Sequence, residues 1–294
     1  MGFLRKIFSR TETPPPDRAT TAPLTPELVP DDIPGEGRRH LQIGVGHVGT
    51  GRKNGPRTDA HMIMLGGYDG NDMLPDYGIL SLAVGQADFS MSDQASTTAV
   101  RTALRSVTRG TYLQVLELEP LGDLPSLHTL MQTCFEEANW AVKAVAEEGA
   151  TCLTVTLILG EQVVVGHVGN SRAYLWHNQE IKRLTEDHPL PSGGEEVTPA
   201  GTVFAEEKRT QSSLKLLGPA DELEVDITSH EISAGDVLLL ASPGLWKALP
   251  DEVIAGAFQG YPDAHRCAEA LVAAAREISR EKEITALVAR IPGN

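Results

Sequence analysis

The chain has 294 residues, 41% of them hydrophobic, a length that suits one large domain or two small ones. Its formal net charge is −15, and residues 1–40 contribute none of it, because six acidic side chains there balance six basic ones. An acidic body repels phosphate backbones, which argues against a nucleic-acid-binding surface, and no apolar run reaches the roughly 20 residues of a membrane-spanning helix.

Residues 1–40 are predicted to form a flexible Pro-rich tail. Pro, Thr and charged side chains dominate residues 9–40, so this segment has too little apolar surface to fold alone. The first eight residues, MGFLRKIF, lack the cleavage site of a signal peptide. They mix apolar side chains with Arg5 and Lys6, so a weak membrane contact through residues 1–10 stays an alternative to an unstructured start.

Residues 41–294 are predicted to form one globular domain. The apolar runs predict strands at 42–48, 60–66, 79–85, 152–159, 162–168, 172–177, 236–242 and 284–291. Helical spacing of apolar residues predicts helices at 92–108, 124–148, 250–258 and 263–279. Consecutive strands and consecutive helices disfavour a parallel βαβ sheet. The predicted fold class is α+β, with two packed antiparallel β-sheets flanked by helices in a four-layer α-β-β-α sandwich.

The chain has three cysteines, and their number and spacing bear on the cellular compartment. Cys134, Cys152 and Cys267 are odd in number, far apart, and set in apolar or helical surroundings. Buried free thiols in a reducing cytoplasm explain this pattern best, so a cytoplasmic location is expected.

Several segments between residues 43 and 291 carry recognisable motifs in a fixed order. GHVGNSRAYLW, followed by LTEDH, is similar to a strand–GDSR–strand unit followed by LTxDH. GILSLAVGQADFSMSDQAS aligns without a gap to a strand, a DGMGG turn and a helix start, and TDAHMIML precedes it as an NxDA-like strand. GDVLLLASPGLWKALPDEVI is similar to GDxLLLCSDGLxDxLxDEEI, and EITALVARI to a last strand headed by DN. Together they resemble the PPM-type, protein phosphatase 2C-like family of metal-dependent Ser/Thr phosphatases.

The resemblance implies a two-metal reaction. Members of that family hydrolyse phosphoserine and phosphothreonine with two Mg²⁺ or Mn²⁺ ions that activate a water and hold the phosphoryl oxygens. Such hard cations need several oxygen ligands, mostly carboxylates. In the family these come from the NxDA-like segment, the DGMGG turn, the SDG turn and the final DN.

Most of these carboxylates are missing here. Asp59 is the only ligand position of the resembled family that keeps its acid, and it is the one candidate metal ligand. The family residues are replaced by Val84 in the DGMGG turn, Pro243 in the SDG turn, Lys282 and Glu283 at DN, Asn170 in GDSR, and Asn54 at the arginine that holds substrate phosphate. One carboxylate cannot offset the four positive charges of two divalent ions, and the added lysine repels these ions further.

The sequence therefore predicts a catalytically inactive relative of these enzymes, a pseudophosphatase. It is expected to act as a regulatory or binding module in phospho-signalling, with a protein partner such as a phosphoprotein or a kinase. No cofactor is expected. Two alternatives stay open: an active Mg²⁺- or Mn²⁺-dependent phosphatase with a displaced metal site built from Asp59, Asp88, Asp93 and Glu283, or a small-molecule sensor that reuses the cleft.

Several residues also have a simpler structural interpretation. The structural alternative for Asp59 is an acid at the entrance to a strand. Asp88 and Asp93 suit the start of the helix near residue 92, and Glu283 is expected to be solvated. His47, His61 and His167 fall on three predicted strands without the close spacing of a metal site. Arg172 is expected to pair with a carboxylate or backbone group, and Asp187 and His188 to belong to a structural loop.

Overall fold

The computed structural model describes residues 41–50, 58–66, 77–86, 89–111, 126–189, 215–280 and 282–292. The predicted tail, residues 1–40, lies outside these ranges, and so does Asn54. Asp88, one member of the alternative metal site, also lies outside them. The tail and its boundary therefore remain predictions.

Ten strands and five helices are present in the described ranges. The strands are β1 Gln42–Val48, β2 Asp59–Gly66, β3 Tyr77–Gly85, β4 Thr151–Leu159, β5 Gln162–Val168, β6 Arg172–His177, β7 Glu180–Arg183, β8 Asp226–Glu231, β9 Val237–Ala241 and β10 Ile284–Arg290. The helices are α1 Ser92–Gly110, α2 Leu127–Val145, α3 Pro243–Trp246, α4 Asp251–Gly260 and α5 Ala264–Ile278. All eight predicted strands and all four predicted helices are found within a few residues of their expected ends.

The strands form two five-stranded sheets in which every pairing is antiparallel. One sheet has the order β1-β10-β9-β6-β7 and the other β2-β3-β4-β5-β8. Apolar side chains of both sheets, such as Leu82, Val165 and Leu240, form the core between them. Helices α1 and α2 cover the outer face of the second sheet, and α3, α4 and α5 cover that of the first. The predicted four-layer fold class is confirmed.

Two glycines of β1 let helix α5 pack directly on the strand backbone. Gly44 and Gly46 alternate along β1, so both face the same side of the sheet. A Cβ at Gly44 would overlap the backbone of Ala264, and one at Gly46 the backbone of Ala268. The antiparallel pairing of β1 with β10 places His47 beside Thr285, at the start of β10.

Two further features concern the cysteines and the helices. Cys134, Cys152 and Cys267 are buried free cysteines, as expected. Within the described ranges, no helix has both the length and the apolar character needed to cross a membrane.

Candidate functional site

The positions that carry metal ligands in the resembled family converge at one end of the sandwich. Asp59, at the start of β2, lies directly opposite Val84 of β3 in the antiparallel register. The Thr285 hydroxyl donates a hydrogen bond to Asp59 Oδ2 at 2.8 Å, and its backbone N–H donates to Ser242 Oγ at 2.9 Å. Ser242 is the N-cap residue of α3, directly before Pro243. The fold thus brings these family positions together.

Glu283 reaches into this site from the residue before β10. Its side chain is only 5% exposed. Oε2 accepts hydrogen bonds from the backbone N–H of Thr58 at 2.7 Å, from the Thr58 hydroxyl at 3.1 Å and from the backbone N–H of Asp59 at 3.2 Å. The expectation that Glu283 is solvated is wrong, because the carboxylate satisfies two backbone N–H groups where β2 begins.

The other oxygen of Glu283 is in a different position. Oε1 is buried without a hydrogen-bond partner and lies 3.5 Å from His47 Nε2. His47 Nδ1 is hydrogen-bonded to the Thr285 hydroxyl at 3.0 Å. One carboxylate therefore has a fully used oxygen and an unsatisfied one, and the unsatisfied one faces an imidazole.

Asp59 has an unusual electrostatic environment. Burial and the negative charge of Glu283 raise the pKa of Asp59 to about 7, although hydrogen bonds from Thr285 and Ser242 oppose the shift. Two acids thus share one buried site. From the sequence, Lys282 was expected to add a positive charge to this site. Its side chain is exposed, so solvent largely screens this charge from the site.

Two histidines without any close spacing in the sequence, His47 and His61, lie near each other beside Asp59 and Glu283. The rings of His47 on β1 and His61 on β2 lie 5.9 Å apart. Burial, followed by the neighbouring His47, lowers the pKa of His61. Sequence spacing could not reveal the contact, because β1 and β2 belong to different sheets and approach each other only after the sheets stack.

The residues present do not fit a pair of Mg²⁺ or Mn²⁺ ions. Val84 is an apolar side chain only 8% exposed, and Pro243 is the first residue of α3; neither side chain has a donor atom. Among the His, Cys, Asp and Glu side chains that the structure describes, no group of three or more is arranged to hold a metal ion. Asp59 remains the one retained ligand position.

The alternative metal site predicted from the sequence contained Asp59, Asp88, Asp93 and Glu283. Of these four acids, the structure places Asp59 and Glu283 next to each other. Asp93 is exposed in the first turn of α1, where a carboxylate favours the helix N-terminus. It follows Met91, the N-cap residue, so it lies in the first turn rather than at the cap itself.

The hairpin GHVGNSR packs beside the site without offering a carboxylate. Asn170 Oδ1 accepts a weak hydrogen bond from the Cys152 thiol at 3.4 Å, and the Asn170 carbonyl accepts one from Trp246 Nε1–H at 3.0 Å. Gly169 has φ +112° and lies against Cys152, so a side chain there would be strained and would overlap the thiol. Asn170 therefore has a structural role in linking the hairpin to β4 and α3.

Arg172 is held in a bidentate pair, as the sequence led us to expect. Its Nε and Nη2 donate to the two carboxylate oxygens of Asp187 at 2.8 and 2.7 Å, and its guanidinium lies 3.5 Å from the centroid of the Trp246 ring. Burial would raise the pKa of Asp187, but the hydrogen bond and charge of Arg172 lower it below the usual value. These contacts occupy the guanidinium within the fold.

A hydrogen-bond chain fixes the LTEDH segment to the same hairpin. Thr154 Oγ1 bonds to His167 Nδ1 at 2.9 Å, and His167 Nε2 to the Gly169 carbonyl at 3.0 Å. The Gly169 N–H donates to His188 Nδ1 at 3.0 Å, and His188 Nε2 bonds to Asp226 Oδ2 at 2.8 Å. Burial lowers the pKa of His167 to about 4, so its imidazole is neutral. These bonds agree with the predicted structural role of the segment.

A cavity of about 530 Å³ lies elsewhere, at the edge between β7 and β8. Its polar lining includes His128, His167, Arg183, Glu186, Asp226 and Thr228. It is lined neither by Asp59 nor by Val84 or Glu283. This cavity therefore gives no support to a sensor that reuses the cleft at the Asp59 site.

Comparison with known proteins agrees with this architecture. The Protein phosphatase 2C family model matches residues 90–197. The serine/threonine phosphatase stp of Listeria innocua is 27% identical over 233 residues, which cover 76% of this chain and 87% of the relative. The crystal structure of the Mycobacterium tuberculosis serine/threonine phosphatase PstP/Ppp is similar with a TM-score of 0.60 at 25% identity, over 86% of this chain and 99% of that one. The catalytic domain of PstP in complex with two manganese ions has the same fold, with a TM-score of 0.58 at 24% identity, over 86% and 98% of the two chains.

Fold, motif order and relatives together define a PPM-type phosphatase-like domain. The comparisons support the PPM-type, protein phosphatase 2C-like family for this chain. Its relatives are named as phosphatases, and on this point the comparisons favour the hypothesis of an active enzyme over that of an inactive one. The manganese ions are a property of the PstP structure; the residues of this chain at the corresponding positions are those described above.

Proposed function

We propose that this chain is a regulatory binding module of phospho-signalling that does not hydrolyse phosphoesters by two-metal catalysis. The proposal is carried by one observation: an apolar valine, Val84, lies opposite Asp59 at a position where the family has a ligand aspartate. A valine side chain has no lone pair for a metal ion.

The remaining site chemistry supports the same proposal. Glu283 Oε2 is occupied by donors from Thr58 and Asp59. Arg172 is occupied by Asp187, so it does not offer a free guanidinium to a phosphate. The proposed partner is a phosphoprotein or a protein kinase, and the buried free cysteines suit a cytoplasmic location.

A second candidate is a metal-dependent protein Ser/Thr phosphatase, and the names of the relatives favour it. It requires a metal site that differs from that of the family and includes Asp59 and Glu283. Hydrolysis would then depend on Mn²⁺ or Mg²⁺ and on the Asp59 carboxylate.

Hydrolysis of p-nitrophenyl phosphate and of a phosphothreonine peptide distinguishes the two candidates. We expect the purified chain to show no Mn²⁺-dependent turnover, with the Listeria phosphatase assayed in parallel as a positive control. Turnover that requires Mn²⁺ and disappears in Asp59→Asn would establish the second candidate. Activity that survives in Asp59→Asn would point to a contaminating enzyme, so each preparation is compared with this variant.

A further inference from the structure

Helix α1 presents a row of arginines to solvent. Arg101, Arg105 and Arg109 follow one another at intervals of four residues, so they lie on one face of the helix, and all three are exposed. Arg109 pairs with Glu137 of α2 at 2.5 Å. Neither Arg101 nor Arg105 has an acidic side chain three or four residues away along α1. Like charges one turn apart destabilise a helix, so the arginine row does not serve the stability of α1.

Helix α2 places an exposed aromatic side chain beside this row. The two helices are antiparallel neighbours, because Gly110 at the end of α1 lies against Leu130, whereas Ala95 in its first turn lies against Gly149, just after α2. Trp140 lies between these two contacts, level with the arginine row, and is 78% exposed. Tryptophan and arginine are enriched among the residues that dominate the energetics of protein interfaces. The outer face of this helix pair thus has the composition of a binding surface.

The local charge of this surface differs from that of the chain. The chain has a net charge of −15, whereas α1 and α2 together carry three arginines and one lysine against one aspartate and two glutamates. Lys143 pairs with Asp221, and in the described part of the chain Arg101 and Arg105 are in no ion pair.

The spacing of these two arginines suits a single phosphoryl group. Residues four apart on a helix have Cβ atoms roughly 6 Å apart, so two long guanidinium side chains can converge on the oxygens of one phosphate. A long polyanion such as a nucleic acid would also meet the acidic remainder of the surface, whereas one phosphoryl group needs only the local patch. Charge complementarity therefore favours a phosphorylated protein segment.

We propose that Arg101 and Arg105 bind the phosphoryl group of a phosphorylated segment in a protein partner, and that Trp140 packs on an apolar side chain of the same segment. Arg101 lies about 14 Å along α1 from Ser92, the helix residue that packs against the end of β3. The surface is therefore separate from the candidate site at Asp59. The class of partner rests on the proposed function, but binding at this surface requires no chemistry at Asp59.

Peptide binding to the full chain tests this proposal. The probe is a short labelled peptide with one phosphothreonine between apolar residues, compared with its unphosphorylated form by fluorescence anisotropy in the presence of a chelator. We expect the phosphorylated form to bind at least roughly tenfold more tightly, because hydrogen bonds between charged groups are the strong ones.

Two variants and a matched control assign this preference to the surface. Arg101→Gln combined with Arg105→Gln should remove most of the preference for phosphate. Trp140→Ala should weaken the binding of both peptides and leave the preference in place. Arg266→Gln combined with Arg280→Gln is the control, since it removes two exposed arginines in and just beyond α5, in the opposite helix layer, and should change neither affinity.

Circular dichroism and thermal unfolding check that each variant is folded. Equal binding of the two peptides by the wild type, or a preference for phosphate that the arginine variant retains, would overturn the proposal and leave the row as a solvated helix face. Tighter binding of single-stranded DNA than of the phosphopeptide would also overturn it. The phosphatase assay is a separate readout, so failure of this surface and failure of the proposed function are distinguishable.

Discussion

The backbone N–H of Asp59 donates a hydrogen bond of 3.2 Å to the carboxylate of Glu283, a residue 224 positions further along the chain. The bond joins the first strand of one sheet, β2, to the residue that directly precedes β10 of the other sheet. It also places two acids in one buried site, where the charge of Glu283 disfavours the ionisation of Asp59. The stability of this protein should therefore depend on both side chains in ways that can be measured separately.

Removal of the Asp59 charge should stabilise the metal-free protein at high pH. The pKa of Asp59 is raised from 3.8 to about 7, so the folded state keeps a proton that the unfolded state releases, and stability falls as the pH rises through this window. The shift of roughly three units corresponds to at most about 4 kcal/mol. Asp59→Asn should unfold at higher urea concentration than the wild type at pH 8, in the presence of a chelator. The difference should vanish near pH 4; an equal difference at both pH values would contradict the assignment.

Loss of the Glu283 carboxylate should destabilise the start of β2. Glu283→Ala leaves the donors of Thr58 and Asp59 without their acceptor, at an expected cost of about 2–3 kcal/mol in the free energy of unfolding. Glu283→Gln keeps an acceptor oxygen and removes the repulsion with Asp59, so it should cost less. Urea unfolding of both variants tests this order. Glu269→Ala, at an exposed acid of α5, should change the free energy by less than about 0.5 kcal/mol.

The Arg172–Asp187 pair should require the planar guanidinium. Arg172→Lys keeps the charge but loses the bidentate geometry and the stacking on Trp246, at an expected cost of about 1–2 kcal/mol. The pKa of Asp187 is lowered, so this contribution is present at neutral pH and is lost as the pH falls below the usual range of an aspartate. A double-mutant cycle with Asp187→Asn measures the coupling. The exposed Arg105→Lys is the control, and a coupling energy near zero would refute the importance of the pair.

Restoration of the family acids should restore metal binding. Val84→Asp alone buries a carboxylate opposite Asp59 and should cost about 2–4 kcal/mol without metal. Combined with Pro243→Asp, Lys282→Asp and Glu283→Asn, it should give a protein that Mn²⁺ stabilises. Thermal unfolding with and without Mn²⁺ measures the gain. Val253→Asp, at an exposed position of α4, should show no Mn²⁺ effect, and the same lack of effect in the combined variant would show that other residues exclude the metals.

The fold was largely predictable from the sequence, because strands such as VVV of β5 and LLLA of β9 are apolar throughout and helix α5 has a regular apolar face. The strands β7 (EIKR) and β8 (DITSHE) were missed because they are short, polar edge strands. The short helix α3 was missed because four residues carry no periodicity.

The site was less predictable than the fold. The motifs located Asp59, Val84 and Pro243 correctly in one region, since they are tied to strand ends. The burial of Glu283 and the contact between His47 and His61 depend on the stacking of two sheets, which no local pattern records. A long side chain at a strand end, such as that of Glu283, can point into the core or into solvent. Here the backbone N–H groups of Thr58 and Asp59, which are distant in sequence, hold it in the buried orientation.

The most direct test of the proposed function is the manganese content of the pure chain after equilibration with Mn²⁺, measured together with turnover of a phosphothreonine peptide. Our account predicts fewer than two manganese ions per chain and no turnover. Two tightly bound ions accompanied by Mn²⁺-dependent release of phosphate would contradict it and identify the chain as an active phosphatase.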